Sequence, residues 1–240
     1  METITALTWN IRHGGGTRVP ALAERIATFT PDIVVLTEFR ANAAGNLLKE
    51  HLASQGLHYQ LAASSAPTVN TVLIAAREPF QPLEAGTPPQ PNRQRALLVR
   101  FPRFLLWGAY WPQGRAKIPL FNFVLEQSPR FLQEPVLLLG DLNTGSHFLD
   151  EPAATFLAVK EFEALMDAGW TDLWRTANPS AREFTWFSRL ANGFRVDHAL
   201  ASPSLRDRVQ EVRYSHRERE EGVSDHSPLL VRISPGRATT

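Results

Sequence analysis

The sequence predicts one α/β domain built from layered sheets. Three observations carry this. Short apolar runs of strand length alternate with segments of helical period. No internal repeat is present, and no linker is long enough to divide the 240 residues. A chain of this size can bury a full core without staples, and many strands mixed with about four helices pack as sheets covered by helices. A single domain over residues 1–234 is expected, followed by a disordered tail over 235–240.

The elements follow in order. Residues 3–10 (TITALTWN) read as a strand. Residues 20–29 read as a helix, with Pro20 in its first turn and Leu22, Ile26 and Phe29 on one face. Pro31-Asp32 breaks to a strand over 33–38. A helix over 47–54 is closed by Gly56. Strands follow at 57–63, 70–77, 95–101 and 104–110, with a Pro-rich loop at 86–92 (GTPPQPN). A helix over 120–132 is expected to be interrupted near Ser128-Pro129. Residues 135–140 read as a strand and 152–168 as a helix closed by Gly169. The last third gives strands near 184–187, 194–201, 209–215 and 228–233, with a charged, solvated turn at 218–222.

Composition excludes several classes. Hydrophobic residues at 43% and charged residues at 20% are ordinary for a soluble globular chain. No apolar stretch approaches a membrane span, and residues 1–10 lack the basic and apolar regions of a secretory signal. The absence of cysteine removes disulfides, thiol nucleophiles and thiolate zinc sites. It fits a reducing compartment, and a cytoplasmic location is expected. The net charge of +1 means that any nucleic-acid surface must be a local patch. Lys49, Lys117 and Lys160 are the only lysines. The arginine excess fits GC-rich coding, and guanidinium forks also suit phosphate oxygens.

The chemistry lies in what borders each apolar strand. Asn10 ends TITALTWN, Glu38 ends PDIVVLTE and Tyr110 ends FLLWGAY. Asp141 and Asn143 follow PVLLLG, Asp197 sits in FRVDHALAS, and Asp225 and His226 precede SPLLVRI. Open α/β sheets place ligand sites at strand ends. Singly, such residues are turn formers and caps. Jointly, several carboxylates in one site repel unless a cation holds them. Hard oxygen ligands with few imidazoles favour Mg²⁺ or Mn²⁺ over zinc.

Other signals carry less. His13-Gly14-Gly15-Gly16 has the form of an esterase oxyanion loop, but no GxSxG elbow accompanies it. The same glycines lack the Lys-Ser/Thr of a P-loop. They read as a flexible loop beside Asn10. His51, His58 and His216 show no metal-ligand spacing, and His147 and His198 read as packing or surface groups.

The motifs WNIR, LTE, GAYWPQG, GDLN, FTWF with FRVDHALAS, and SDHSPL occur in the order of the endonuclease/exonuclease/phosphatase family. They span nearly the whole chain, and GAYWPQG with the stretch from TDLWRTANP to FRVDHALAS most resembles the exonuclease III and abasic-site endonuclease branch. The resemblance implies a four-layer sandwich of two facing mixed β-sheets flanked by helices. It implies Glu38 as metal ligand, helped by Asn10, Asp225 and Asp141. It implies that Asp141 orients or deprotonates water, that Asn143 and Asn10 donate hydrogen bonds, and that Tyr110 holds the phosphate or leaving oxygen. His226 would contact the scissile phosphate, with Asp197 fixing its tautomer.

The implied activity is metal-dependent hydrolysis of DNA phosphodiesters by an abasic-site endonuclease, a 3′-5′ exonuclease or both. A monomer with no obligate protein partner is expected. Trp186, Phe194 and Val196 match positions that in abasic endonucleases form an apolar slot for a baseless sugar; aromatics in strands are equally read as core. Arg12, Arg115, Arg18, Arg93 and Arg189 lie in loops beside the motifs and are candidate phosphate contacts. Three departures bear on the substrate. Arg12 stands where abasic endonucleases carry an acid, Thr71 replaces a common glycine, and TGSHFLDEP after Asn143 is shorter than its counterpart. The alternative substrate is a non-DNA phosphoester: a phospholipid, an inositol phosphate or a nucleotide-linked adduct. A non-catalytic binding module is disfavoured, because it has no need of clustered carboxylates beside an anion.

Overall fold

Period-two alternation along the strands decides the layering. In β1 (Ile4–Asn10), Ile4 and Ala6 point to one side and Leu7 and Trp9 to the other. β2 (Ile33–Phe39), β4 (Thr71–Ala76), β7 (Leu105–Tyr110) and β8 (Val136–Asp141) are buried on both faces in the same way. Strands with two apolar faces need a layer on each side. The computed structural model describes residues 3–234 and supplies those layers.

One sheet has the order β13-β14-β1-β2-β4-β3, with β3 at Tyr59–Ala62, β13 at Val209–Tyr214 and β14 at Leu229–Ile233. Its β1–β2 pair is parallel and its other pairs antiparallel. The second sheet has the order β5-β6-β7-β8-β12-β9, with β5 at Gln81–Pro82, β6 at Ala96–Arg100, β9 at Thr171–Asp172 and β12 at Asp197–Ala201. Its β7–β8 pair is the parallel one. A small hairpin joins β10 (Trp186–Phe187) to β11 (Gly193–Phe194).

Between the sheets, Val35, Val72 and Ile74 meet Leu106, Leu137 and Leu139. Outside the first sheet, Leu7, Trp9 and Leu36 pack on α1 (Val19–Thr28) and α2 (Ala43–Ser54). Outside the second, Leu98, Trp107 and Leu138 pack on α3 (Ile118–Phe131) and α4 (Val159–Asp167). This is the four-layer sandwich of facing mixed sheets flanked by helices. Three shorter helices, α5 (Leu173–Ala177), α6 (Pro203–Arg206) and α7 (Arg217–Glu220), lie near the C-terminal strands. Among the described residues no helix is long and apolar enough to cross a membrane.

The sequence reading differs from the fold where long-range contacts override local pattern. α2 starts at Ala43, because Asn42 caps it by accepting from Gly45 N. α3 runs unbroken through Pro129 and ends two residues later at Phe131, so the proline removes one backbone bond near the end of the helix. The helix expected over 152–168 begins only at Val159. The buried Glu151 carboxylate takes the Thr155 and Phe156 amides and holds the preceding stretch as a loop. The strand expected over 194–201 is split, because Arg195 turns inward to Asp150 and Asp172. The turn at 218–222 is not wholly solvated, since Glu218 is buried. β5, β9 and the three short helices carried no pattern long enough to read. The expected tail over 235–240 lies outside the described residues.

Gly140 precedes Asp141 at the end of β8 and pairs with Ala109 of β7. Its φ is +152°, and a Cβ there would lie 1.8 Å from the Ala109 carbonyl oxygen. Gly140→Ala is expected to destabilise the protein by about 3 kcal/mol, through overpacking against backbone. Urea unfolding measures this. A midpoint equal to wild type would show that β7 and β8 separate locally without loss.

Candidate active site

The inward rows of both sheets end on polar groups at one edge of the inter-sheet core. The β1 row through Ile4 and Ala6 ends on Asn10. The β7 row through Leu106 ends on Tyr110, and the β8 row through Leu137 and Leu139 ends on Asp141. In β12, Asp197 opens the row that continues with Ala199 and Ala201. Register sets Tyr110 directly beside Asp141, and Asp141 beside Asp197. Glu38 needs a special device, because strict alternation puts Thr37 on the inward row. A β-bulge between Leu36 and Phe39, with φ +57° at Glu38, turns its carboxylate into the site.

Hydrogen bonds link these groups. Asn10 Nδ2 donates to Asp141 Oδ2 at 2.9 Å and to Glu38 Oε1 at 3.3 Å. The Tyr110 hydroxyl donates to Glu38 Oε1 at 3.2 Å. Asn143, also at positive φ, donates its amide to Asp141 Oδ1 at 2.9 Å and its side chain to the Trp111 carbonyl at 2.8 Å. His226 Nδ1 donates to Asp197 Oδ2 at 2.9 Å. The loop carrying His226 is pinned from beneath. Trp9 Nε1 donates to the His226 carbonyl at 2.8 Å, and Ser224 Oγ donates to the Asn10 carbonyl at 2.6 Å. The Tyr214 hydroxyl holds the Asp197 carbonyl at 2.6 Å.

Burial and neighbouring charge tune the titrating groups. Burial, then the nearby Asp197 charge, push the Asp141 carboxyl up to about 7, against the hydrogen bonds from Asn10 and Asn143. Burial alone would lower the His226 pKa. The Asp197 charge and hydrogen bond, with Asp141 and Asp225 beyond, outweigh it and raise the imidazole to about 9. Burial and the Glu38 charge push the Tyr110 phenol up to about 12, so it stays a hydrogen-bond donor. Lys117, the residue capping α3, is buried and donates to the Asn143 carbonyl. Burial brings its ammonium down to about 8.

Beside these groups lies a cavity of about 190 Å³, lined by Trp186, Phe194, Val196, Phe156, Lys117 and Asn143 among others. The Trp186 and Phe194 rings lie 5.7 Å apart, Phe156 stands 5.4 Å from Phe194, and Trp186 is 6.3 Å from the His226 ring.

The model of the Endonuclease/Exonuclease/phosphatase family matches residues 7–226, which takes in every one of these groups. The chain belongs to that family. Solved structures give the same fold. An AP endonuclease from Archaeoglobus fulgidus superposes with a TM-score of 0.82 at 18% identity, covering 96% of this chain and 99% of that one. A 3′ phosphatase, NExo, from Neisseria, bound to a product DNA hairpin, has a TM-score of 0.82 at 24% identity, with 96% and 99% covered. A 3′-5′ exonuclease, NExo, from Neisseria meningitidis has a TM-score of 0.81 at 24% identity, with 96% and 100% covered. No curated protein sequence matches the chain.

Of the residues named from sequence, Asn10, Glu38, Tyr110, Asp141, Asn143, Asp197 and His226 converge, and Trp186, Phe194 and Val196 line one cavity beside them. Asp225 stands further out, 3.8 Å from Arg12 Nε. Arg115 and Arg189 are exposed. Arg18 is engaged with the carbonyls of Ile11, Arg12 and Val223, and Arg93 with Glu84. Four supporting residues escaped the sequence reading. Trp9, Ser224 and Lys117 lie inside or next to the motifs. Arg195 lies two positions before Asp197, and its charge gave no sign of burial.

Two observations test the fit to a divalent cation. Carboxylate oxygens Asp225 Oδ1 and Asp197 Oδ1 are buried and accept no hydrogen bond among the described residues, and the donors at this end are mostly hard oxygens. Both fit such an ion. Asp141, Asp197 and His226 bring possible ligand atoms within 4.8 Å of one another. There, however, His226 Nδ1 is committed to Asp197, so the pair reads as a charge-stabilised imidazole rather than an ion cage.

NMR titration of the His226 ring should give a midpoint near 9, falling toward the ordinary histidine range in Asp197→Asn. Since the folded value is the raised one, this group's stabilising contribution is full below about 6.5 and fades as pH rises through about 9. A wild-type midpoint near 6.5 would remove the pair from the site's electrostatics.

Proposed function

We propose that this protein is a Mg²⁺- or Mn²⁺-dependent hydrolase of DNA phosphodiesters, acting as an abasic-site endonuclease, a 3′-5′ exonuclease or both. The observation that carries the reading is the convergence of Asp141, the His226–Asp197 pair and Glu38 at one end of the core, beside an apolar slot. That set suits attack of water on a phosphodiester without a covalent intermediate.

Glu38, linked through Asn10 to Asp141 and with Asp225 further out, would hold the cation, which when bound neutralises charge building on the phosphoryl oxygens. Asp141, its carboxyl raised by burial, takes the proton of the attacking water. Asn10 and the Asn143 amide fix the orientation of that carboxylate. His226, charged through Asp197, turns its free Nε2–H toward a non-bridging phosphate oxygen. Tyr110, kept protonated, donates to the phosphate or the leaving oxygen. The new P–O bond forms from water as the bond to the sugar oxygen breaks, leaving a phosphate monoester and an alcohol. Trp186, Phe194 and Val196 offer a dry wall to a sugar without its base, while Arg12 and Arg115 contact flanking phosphates. Family membership and the fold shared with DNA-processing enzymes support the substrate class.

The deciding assay uses an end-labelled duplex with one abasic analogue, in Mg²⁺, Mn²⁺ or chelator, beside undamaged duplex and a small chromogenic diester. Metal-dependent incision at the abasic position is the expected result. Intact DNA with hydrolysis of the small diester would keep the chemistry and move the substrate to lipid or inositol phosphates. His226→Ala should lose about 10²–10⁴-fold in turnover while keeping its fold; near-normal turnover would take His226 out of the mechanism. Mg²⁺ or Mn²⁺ should raise the melting temperature by mass action, and Glu38→Gln should abolish the rise. A rise that survives in Glu38→Gln would place the ion elsewhere.

A further inference from the structure

Past Asn143, the stretch that leads to α4 lies outside the hydrolytic centre and is nonetheless held by a dense set of hydrogen bonds. The buried Glu151 carboxylate accepts from the Thr155 amide at 2.9 and 3.0 Å, from the Phe156 amide at 2.9 Å and from the Thr155 hydroxyl. It also meets His147 Nδ1 at 2.6 Å. Asp150 is held by Arg195 and Arg175.

From this frame Phe148 points outward. Its φ is +63° and it is 58% exposed. A left-handed backbone is an outlier for a bulky residue, and a ring this exposed gains little from burial. Glycine or asparagine would relieve both penalties. A rigid loop that presents an aromatic ring at such a disadvantage points to a use outside this chain.

The surroundings say what the ring would meet. The neighbouring His147 ring, 6.2 Å from that of Phe148, lines a cavity of about 310 Å³ together with Arg115, Phe156, Leu157 and Lys160. Phe156 and Leu157 also line the slot beside Asn143. The two cavities thus share a wall and run outward from the catalytic end. Arg115 and Lys160 are exposed and have no ion-pair partner among the described residues. Glu161, at the edge, is the one carboxylate in this lining. Cations with exposed aromatic faces suit single-stranded nucleic acid, whose bases stack while its phosphates pair. Inside a paired duplex the base faces are covered by their neighbours, and only an unpaired base or the terminal pair can stack on such a ring.

The geometry points to a track for unpaired nucleotides adjoining the scissile phosphate, with one base stacked on Phe148 and phosphates against Arg115 and Lys160. This rests on the nuclease reading and narrows its substrate to DNA with a frayed or extended end beside the cleaved bond.

The test compares kcat/KM on a duplex with a short single-stranded extension against a blunt duplex of the same pairing, beside the small diester. Wild type should prefer the extended duplex. Phe148→Ala should cut that preference by about 5–100-fold, the range for one base–aromatic stack, and Phe148→Trp should restore it. Phe148→Asn should melt about 2–4 °C higher while showing the same lost preference, as relief of backbone strain predicts. An unchanged preference in Phe148→Ala, or a lower melting temperature in Phe148→Asn, would overturn the track and make the ring structural. Equal losses on extended and blunt duplexes would overturn it in favour of duplex contact. Failure of wild type to hydrolyse even the small diester would bring down the nuclease reading, and the track with it.

Discussion

A single buried guanidinium holds together the half of the second sheet that carries the candidate site. Arg195 grips Asp150 through Nε and Nη2 at 2.7 and 2.9 Å, and Asp172 through Nη1 and Nη2 at 3.2 and 2.6 Å. Both carboxylates are bound in bidentate fashion, the arrangement the planar fork favours. Two acids on one cation would leave an uncompensated charge in the core. Arg175 supplies the balance at Asp150, and the Trp174 ring lies against both guanidinium groups. Burial works against the ionised carboxyls, but Arg195 holds Asp150 and Asp172 below the usual carboxylate range. Removing one partner of such a network leaves buried charge unpaired, which is strongly destabilising.

The consequence reaches the candidate site through the chain. Arg195 stands two residues before Asp197, and its amide donates to the Asp150 carbonyl. Val196 and Asp197 are held next by Thr185 Oγ1. Asp172 also caps α5 by accepting from the Arg175 amide. One guanidinium therefore fixes the start of β12, the root of the loop after Asn143 and the entry to α5 together. The His226–Asp197 geometry depends on that fixed start, because a pair at 2.9 Å loses its directionality if either backbone drifts.

Much of the site was legible because strand periodicity and strand ends are local properties. Asn10, Tyr110 and Asp141 end inward rows, so counting in twos along each strand delivers them to one edge. The orientation of Glu38 was not legible, since the count in twos turns it toward the helices and only the bulge reverses it. Arg195 was not legible either, because its partners lie 45 and 23 positions away. The late start of α4 has the same cause. Pro152 reads as a first helical turn, and nothing local reveals that the Glu151 carboxylate collects the amides that follow. Local pattern fixes which residues arrive at the site, and long-range polar contacts fix how they face.

Charge distribution completes the account. With a net charge of +1, the molecule has no broad positive field to draw in a polyanion. Its catalytic end brings Glu38, Asp141 and Asp197 together, which on their own repel phosphate. An anionic substrate can settle there only if bound cations and protonated groups reverse the local sign, which is the part His226 would play, on the nuclease reading, through its raised pKa. Attraction of this kind acts over a Debye length of about 8 Å at physiological salt. On the nuclease reading, a protein so arranged engages the few nucleotides around one phosphate and makes little use of the rest of a duplex. The short loops and exposed Arg115 then belong to one design, in which selectivity comes from contacts next to the cleaved bond.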